Sequence, residues 1–236
     1  MGLRLFARRS AVKVTVVINN RNLLTWPREM VSRIERYDNL AGIVIVDNDS
    51  SYPPLLEWYQ TLSHNVIRLD GNLGHEAPFS QRVLDAIPTE DFAVTDPDLG
   101  LLDTPDDTLT HLRHLLQRHP TMGKVGLSLD WSTVPRQSPY YAHCQGYERE
   151  LWNKPRIGRH LRAAPVDTTL AAYNKQIACH YFVGGARTTP PYTARHYPWE
   201  LVGVTEEYRY YLDRASTSSS FKAFVTETKS PDCPAE

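Results

Sequence analysis

Cysteine is scarce in this chain: Cys144, Cys179 and Cys233 are the only three among 236 residues. They are odd in number, far apart and include no Cys-x-x-Cys pair, which argues against a disulfide framework and a cysteine-built zinc site. A reducing, cytoplasmic location is the expectation. Long apolar runs are lacking too, since none approaches the roughly 18–20 residues that cross a bilayer. No stable membrane insertion is therefore expected. Residues 1–10 place Arg4, Arg8 and Arg9 around a short apolar patch, briefer than a secretory signal requires. They read as a flexible lead-in with at most a weak attraction to membrane surfaces. An excess of either charge is missing as well: the formal net charge is −1, without the basic surplus that marks a nucleic-acid partner. No Gly-x-x-x-x-Gly-Lys-Ser/Thr occurs, so a P-loop NTPase is not supported.

What is present suits a single α/β domain over residues 1–236. Hydrophobic residues make up 41% and charged residues 22%, ordinary values for a chain that buries a core. No internal repeat or linker interrupts it. Residues 12–18 form a β-branched run of buried-strand type. Pro27 fits a first helical turn, with Met30, Val31, Ile34 and Tyr37 following at helical spacing. Residues 42–46 predict a second strand ending at Asp47, 55–62 a helix, 66–69 a third strand and 92–95 a fourth. Thr104 and Pro105 predict the start of the next helix, with Asp106 and Asp107 in its first turn and Leu109, Leu112, Leu115 and Leu116 as its buried stripe. Residues 124–129 predict one more strand. Such alternation implies a mainly parallel sheet with helices on both faces and a ligand crevice beyond the carboxyl ends of the strands. Residues 132–200, rich in proline and aromatics, predict short strands and loops laid over that sheet. A last helix is expected within 202–214, and the Ser/Thr-rich end after Ala215 is expected to be loose.

The sharpest motif is Thr95-Asp96-Pro97-Asp98 at the end of the fourth strand. Once the chain leaves strand geometry, both carboxylates can face the crevice. There they would repel one another unless a hard, oxygen-seeking cation lies between them. The other reading is an ordinary Asp/Pro turn. Asp47-Asn48-Asp49 follows the second strand, where acidic groups can accept hydrogen bonds from a base or ribose. Asn72-Leu73-Gly74-His75 follows the third, where glycine permits close approach to a ligand. His111, His114 and His119 lie on a polar helix and read as solvated. Tyr140, Tyr141, Trp152 and Trp199 could stack on a sugar, although core packing explains such residues equally well.

Taken together, Asn19-Asn20-Arg21 after the first strand, Asp47-Asn48-Asp49, Asn72-Leu73-Gly74 and Thr95-Asp96-Pro97-Asp98 resemble the donor half of family 2-like GT-A glycosyltransferases, over about residues 12–131. The resemblance implies a GT-A fold with an acceptor half over about 132–214. It implies Mn2+ or Mg2+ held by Asp96 and Asp98 on the diphosphate of a UDP- or GDP-sugar, with Asp47 at the nucleoside. Asn19, Asn20, Arg21, Asn48, Asp49, Asn72, Gly74, His75 and Thr95 would line the donor. His196 would be a further metal ligand, and Arg195 would meet phosphate. The general base would be Glu207, beside Glu206 at the start of the last helix, or else Asp167. Transfer to a carbohydrate, lipid-linked, peptide or small-molecule hydroxyl would invert the anomeric centre. A sugar-phosphate nucleotidyltransferase is the rival enzyme, although the glycine-rich loop typical of that class is replaced here by Asn19-Asn20-Arg21-Asn22. A non-catalytic nucleotide-binding module is the rival outside enzymology.

Overall fold

A computed structural model describes residues 12–167, 169–174, 180 and 184–215. The loose ends expected at residues 1–10 and after Ala215, together with Cys179 and Cys233, lie outside the described residues, save Ala215 itself. Eleven short strands form two sheets among the described residues. They are β1 (Val14–Asn20), β2 (Leu40–Asp47), β3 (Asn65–Arg68), β4 (Phe92–Thr95), β5 (Leu99–Gly100), β6 (Lys124–Gly126), β7 (Ser128–Leu129), β8 (Leu161–Arg162), β9 (Ala171–Tyr173), β10 (Gly185–Thr188) and β11 (Thr193–His196). The main sheet runs β3-β2-β1-β4-β9-β6-β10-β8, and β5-β11-β7 forms a small second one. In the main sheet β1 pairs in parallel with β2 and β4, β2 with β3, and β6 with β10. Strand β9 runs antiparallel between β4 and β6, and β8 antiparallel on the β10 edge.

Helices cover both faces, as the alternating pattern predicts. One face carries Val16, Ile18, Ile43, Ile45 and Ala93. It packs on Met30 and Ile34 of α1 (Thr25–Ile34), Leu55 of α2 (Pro53–Tyr59) and the leucine stripe of α4 (Thr108–Arg118). The opposite face, with Val17, Val44, Val46 and Val94, receives Ala77 and Phe79 from the 3₁₀ turn Gly74–Phe79 and Val83 from α3 (Gln81–Ala86). Burial of branched side chains on both faces explains why these strands read as unbroken apolar runs instead of alternating ones.

Four expectations need correction. Residues 132–200 are not laid over the sheet: they supply β8, β9 and β10, and β9 sits in its interior. The run 124–129 is not one strand, because the chain steps from β6 in the large sheet to β7 in the small one across Leu127. Helix α4 begins at Thr108 and not beside Thr104. The Thr104 hydroxyl is instead bound to Tyr37 Oη and to the carbonyl of Leu101, so it serves tertiary packing and cannot cap. His111 is not solvated either. Its ring stacks on Tyr192 at 3.6 Å.

The last described helix, Glu206–Arg214, ties the two halves together. Helix α1 starts after Leu24, which has no side chain able to satisfy the free amides of the first turn. Glu207 fills that need from 183 residues away. Its Oε1 accepts the backbone N–H groups of Leu24 (2.7 Å) and Thr25 (3.0 Å), and Oε2 accepts the Thr25 hydroxyl (2.6 Å). A carboxylate at a helix N-terminus also meets the positive end of the helix dipole. Tyr208 and Leu212 bury against Leu23 beside it. Glu207→Ala is expected to lower unfolding free energy by about 1–2 kcal/mol, the cost of a lost N-cap, measured by urea denaturation. An unchanged midpoint would show that the clamp contributes nothing.

Candidate functional site

The parallel register fixes where the site lies. Asn20 is level with Asp47 across β1 and β2, and Ile18 is level with Thr95 across β1 and β4. The three motifs therefore leave the sheet along one edge, as expected for strands whose carboxyl ends share a crevice. A cleft opens there, lined among others by Asn19, His75, Asp96, Lys124, Asp167 and Tyr173.

Asp96 and Asp98 diverge. The turn at Pro97-Asp98 ends β4, so Asp96 faces the cleft while Asp98 turns toward the small sheet. There Asp98 Oδ2 lies 3.7 Å from Nε2 of His196, a wholly buried side chain packed on Trp199. Asp98 Oδ1 is buried with no hydrogen-bond partner. Desolvation pushes the Asp98 carboxyl up to about 7. Desolvation, then the charge of His143, pulls the His196 imidazole down to about 3. Burial penalises the charged form of each, so the two shifts run in opposite directions.

Asp96 belongs to a second cluster. Its carboxyl is raised to about 8, first by desolvation and then by the charges of Asp98 and Asp167, with Lys124 acting in the opposite sense. Lys124 is itself 3% exposed, and burial lowers its ammonium against the pull of Asp167 and Asp96. Its Nζ lies 5.6 Å from the Tyr173 ring centroid. Burial and the same acids push the Tyr173 phenol upward. Among the described residues no three His, Cys, Asp or Glu side chains assemble as a metal centre. Asp96, Asp98 and His196 thus do not form a closed triad. The donor chemistry still fits a hard divalent cation: oxygen ligands only at Asp96, an orphaned buried oxygen on Asp98, and negative charge that a single lysine offsets. Such cations keep open positions for water and phosphate and need few protein ligands.

The remaining predicted residues form a polar frame around the cleft. Asn19 and Asn48 both donate to the Gly74 carbonyl (3.1 and 2.9 Å), and Asn48 Oδ1 accepts the Leu73 amide. Asn72 Oδ1 accepts the Gly74 N–H, and Gly74 itself has φ +60°, which disfavours any other residue at this turn. Asp47 is fully buried, taking the Ser50 amide on Oδ1 and Arg68 Nε on Oδ2. Asn20 donates to Leu23 O and Tyr59 Oη. Thr95 Oγ1 donates to the Asp96 carbonyl. Arg21 reaches the Arg214 carbonyl, and Asp49 is exposed at φ +64°. Arg195 is held by Glu200, so its guanidinium is engaged away from the cleft lining. Glu207 is spent on α1, and Glu206 is exposed. Of the candidate bases, Asp167 is the one that lines the cleft.

Sequence reasoning missed Lys124, Thr169 and Tyr173. Lys124 opens an otherwise apolar strand, and a buried lysine there was the available signal. It missed Gly126 as well, where a Cβ would stand 2.5 Å from Val166 Cγ1 and 3.0 Å from Thr169 Cγ2. That glycine lets the chain carrying Asp167 press against β6. From the other side Arg187, 1% exposed, pairs with buried Glu148 at 2.7 Å and donates from Nε to the Pro165 carbonyl at 2.5 Å.

No protein-family profile and no curated protein sequence matches the chain. Among solved structures it is similar to TarS 1–349 of S. aureus in complex with UDP-GlcNAc, at 12% identity and TM-score 0.49, covering 85% of this chain and 64% of that one. It is similar also to TarS 1–349 alone, at 13% identity and TM-score 0.48, covering 78% and 60%. A third is CMP:2-keto-3-deoxy-manno-octonic acid synthetase complexed with CTP, at 10% identity and TM-score 0.43, covering 70% and 75%. The chain thus spans under two thirds of TarS 1–349. No helix among the described residues is long and apolar enough to cross a membrane.

The raised carboxyls have a pH signature. A carboxyl whose folded pKa lies above its unfolded value stabilises the fold fully below about pH 4, and that contribution is lost as pH rises through the folded pKa. With EDTA present, stability is therefore expected to decline between about pH 5 and 8.5. Asp96→Asn should remove much of the decline, becoming more stable than the parent at pH 8.5 by roughly 1–3 kcal/mol but close to it at pH 5. Parallel urea curves at the two pH values would contradict the placement of Asp96.

Proposed function

We propose that the protein transfers a sugar from a nucleotide-diphosphate sugar to an acceptor hydroxyl, with inversion, using a divalent cation at Asp96. The observation that carries this reading is the desolvated Asp96 at the end of β4, which lines one cleft with Asp167 and Lys124. Mn2+ or Mg2+, when bound, would supply Lewis acidity toward the diphosphate. Asp96 would hold it, with the free carboxyl oxygen of Asp98 as a second donor if the Pro97 turn brought it round. The Asn19–Gly74–Asn48 frame would hold the loop bearing His75 against the donor.

Asp167 is the base in this reading. Its carboxylate takes the acceptor proton as the hydroxyl oxygen bonds to the anomeric carbon. The bond from that carbon to the diphosphate oxygen breaks, and the electron pair leaves with the nucleoside diphosphate. Lys124 offsets the charge of Asp96 and Asp167, and for the desolvated Asp96 this matters most, since an unpaired buried charge would cost several kcal/mol. The Arg187–Glu148 pair and Gly126 fix the segment on which Asp167 sits.

The test is a thermal-shift series with UDP, GDP and CDP, with and without Mn2+, followed by hydrolysis of the matching nucleotide sugar. One nucleoside diphosphate should raise the melting temperature only when the cation is present. Asp96→Asn should abolish that shift. Asp167→Asn should keep it while lowering turnover by about 10²–10⁴-fold, the usual contribution of a general base. Turnover of an NTP plus a sugar phosphate, without use of nucleotide sugars, would replace this reading with nucleotidyl transfer.

A further inference from the structure

Outside the cleft, a basic surplus falls on the segment that leads into it. Residues 132–165 contain six Arg or Lys against two Glu, although the whole chain has a net charge of −1. One of those glutamates, Glu148, is buried on Arg187, and the other, Glu150, is taken by Lys154 at 2.9 Å. Arg156, Arg159 and Arg162 remain without an acidic partner among the described residues. Arg156 and Arg159 are exposed.

Geometry makes the arrangement more demanding. Arg156 and Arg162 are directly opposed across an antiparallel bridge, with Gly158 at φ +107° in the turn between them. Like charges opposite one another on paired strands are unfavourable. The bridge is nonetheless locked by the Ile157 amide on the Leu161 carbonyl and the Ala163 amide on the Pro155 carbonyl, and Arg162 Nη1 holds the Lys154 carbonyl. Arginines carried on one hairpin in this way suit a tetrahedral oxyanion, which guanidinium groups grip through paired hydrogen bonds.

The hairpin also has a defined relation to the cleft. Asp167 follows Arg162 by five residues, a span of at most about 18 Å even if fully extended. Pro165 between them is fastened by Arg187. The hairpin and the candidate base are therefore joined by one short, anchored stretch of chain.

We propose that the Arg156–Arg159–Arg162 hairpin is the docking surface for a phosphate-bearing acceptor, gripping a phosphate while a neighbouring hydroxyl reaches Asp167. The acceptor part rests on the transferase reading, but the anion site stands on the hairpin alone.

The test is calorimetric titration with linear inorganic polyphosphate of about ten phosphates. It compares the parent protein, the double variant Arg156→Gln/Arg159→Gln, and a control of equal charge change, Arg28→Gln/Arg36→Gln, at exposed positions on and just after α1. Expected are salt-dependent binding by the parent and the control, and a loss of at least about tenfold in the hairpin variant, whose melting temperature should not fall. Equal loss in both variants would show mere net-charge attraction and overturn the proposal, as would undiminished binding in the hairpin variant. Tighter binding of a single-stranded oligonucleotide of matched charge would overturn it in favour of nucleic acid. The nucleoside diphosphate shift, measured on the same three proteins, should be unchanged among them. Its absence from all three would sink the transferase reading while leaving the anion site intact.

Discussion

Acidic side chains that water barely reaches cannot all be ionised side by side, and this constraint organises the molecule around the end of β4. Burial and the charges of Asp98 and Asp167 raise the proton affinity of Asp96, and the buried ammonium of Lys124 opposes them. The fold gives up stability to hold them there. It places β4 between β1 and the antiparallel β9, so that Asp96 emerges where three apolar strands end together. A divalent cation would relieve the same strain that a proton relieves in its absence, which is why the cluster carries the functional reading.

Everything that positions the cluster is a close approach or a buried polar bond. Gly126 removes the methyl that would hold the Val166–Thr169 side chains off β6. Arg187 and Glu148, both almost fully buried, anchor Pro165 just ahead of Asp167. A buried ion pair gains its stabilisation chiefly from good geometry, and breaking one partner is costly. On the opposite side Asn19 and Asn48 converge on one carbonyl, Gly74. The cleft is thus held from two sides by side chains that have little conformational choice.

Much of the fold was legible because branched apolar runs of four to eight residues announce buried strands and leucine spacing announces α4. The order of elements up to β4, and the crevice at Asp96, followed from that pattern. What the pattern could not reveal was pairing. Nothing local in Ala171-Ala172-Tyr173 marks β9 as an interior strand, because its neighbours β4 and β6 lie far away in sequence. The divergence of Asp96 and Asp98 depends on one turn at Pro97, below the resolution of any spacing argument. Glu207 fitted a base by position, yet its carboxylate caps α1, whose bare N-terminus at Leu24 was readable only in hindsight. Asp167, the rival candidate, lines the cleft because of Gly126 and Arg187, two residues that carry no motif.

The most direct measurement is a carboxyl-carbon NMR titration of Asp96 in the cation-free protein, with Asp96→Asn used to assign the resonance. The account predicts a midpoint near 8, falling sharply once Mg2+ and the matching nucleoside diphosphate are added. A midpoint near 4 in the free protein, the ordinary value for an aspartate in water, would contradict it.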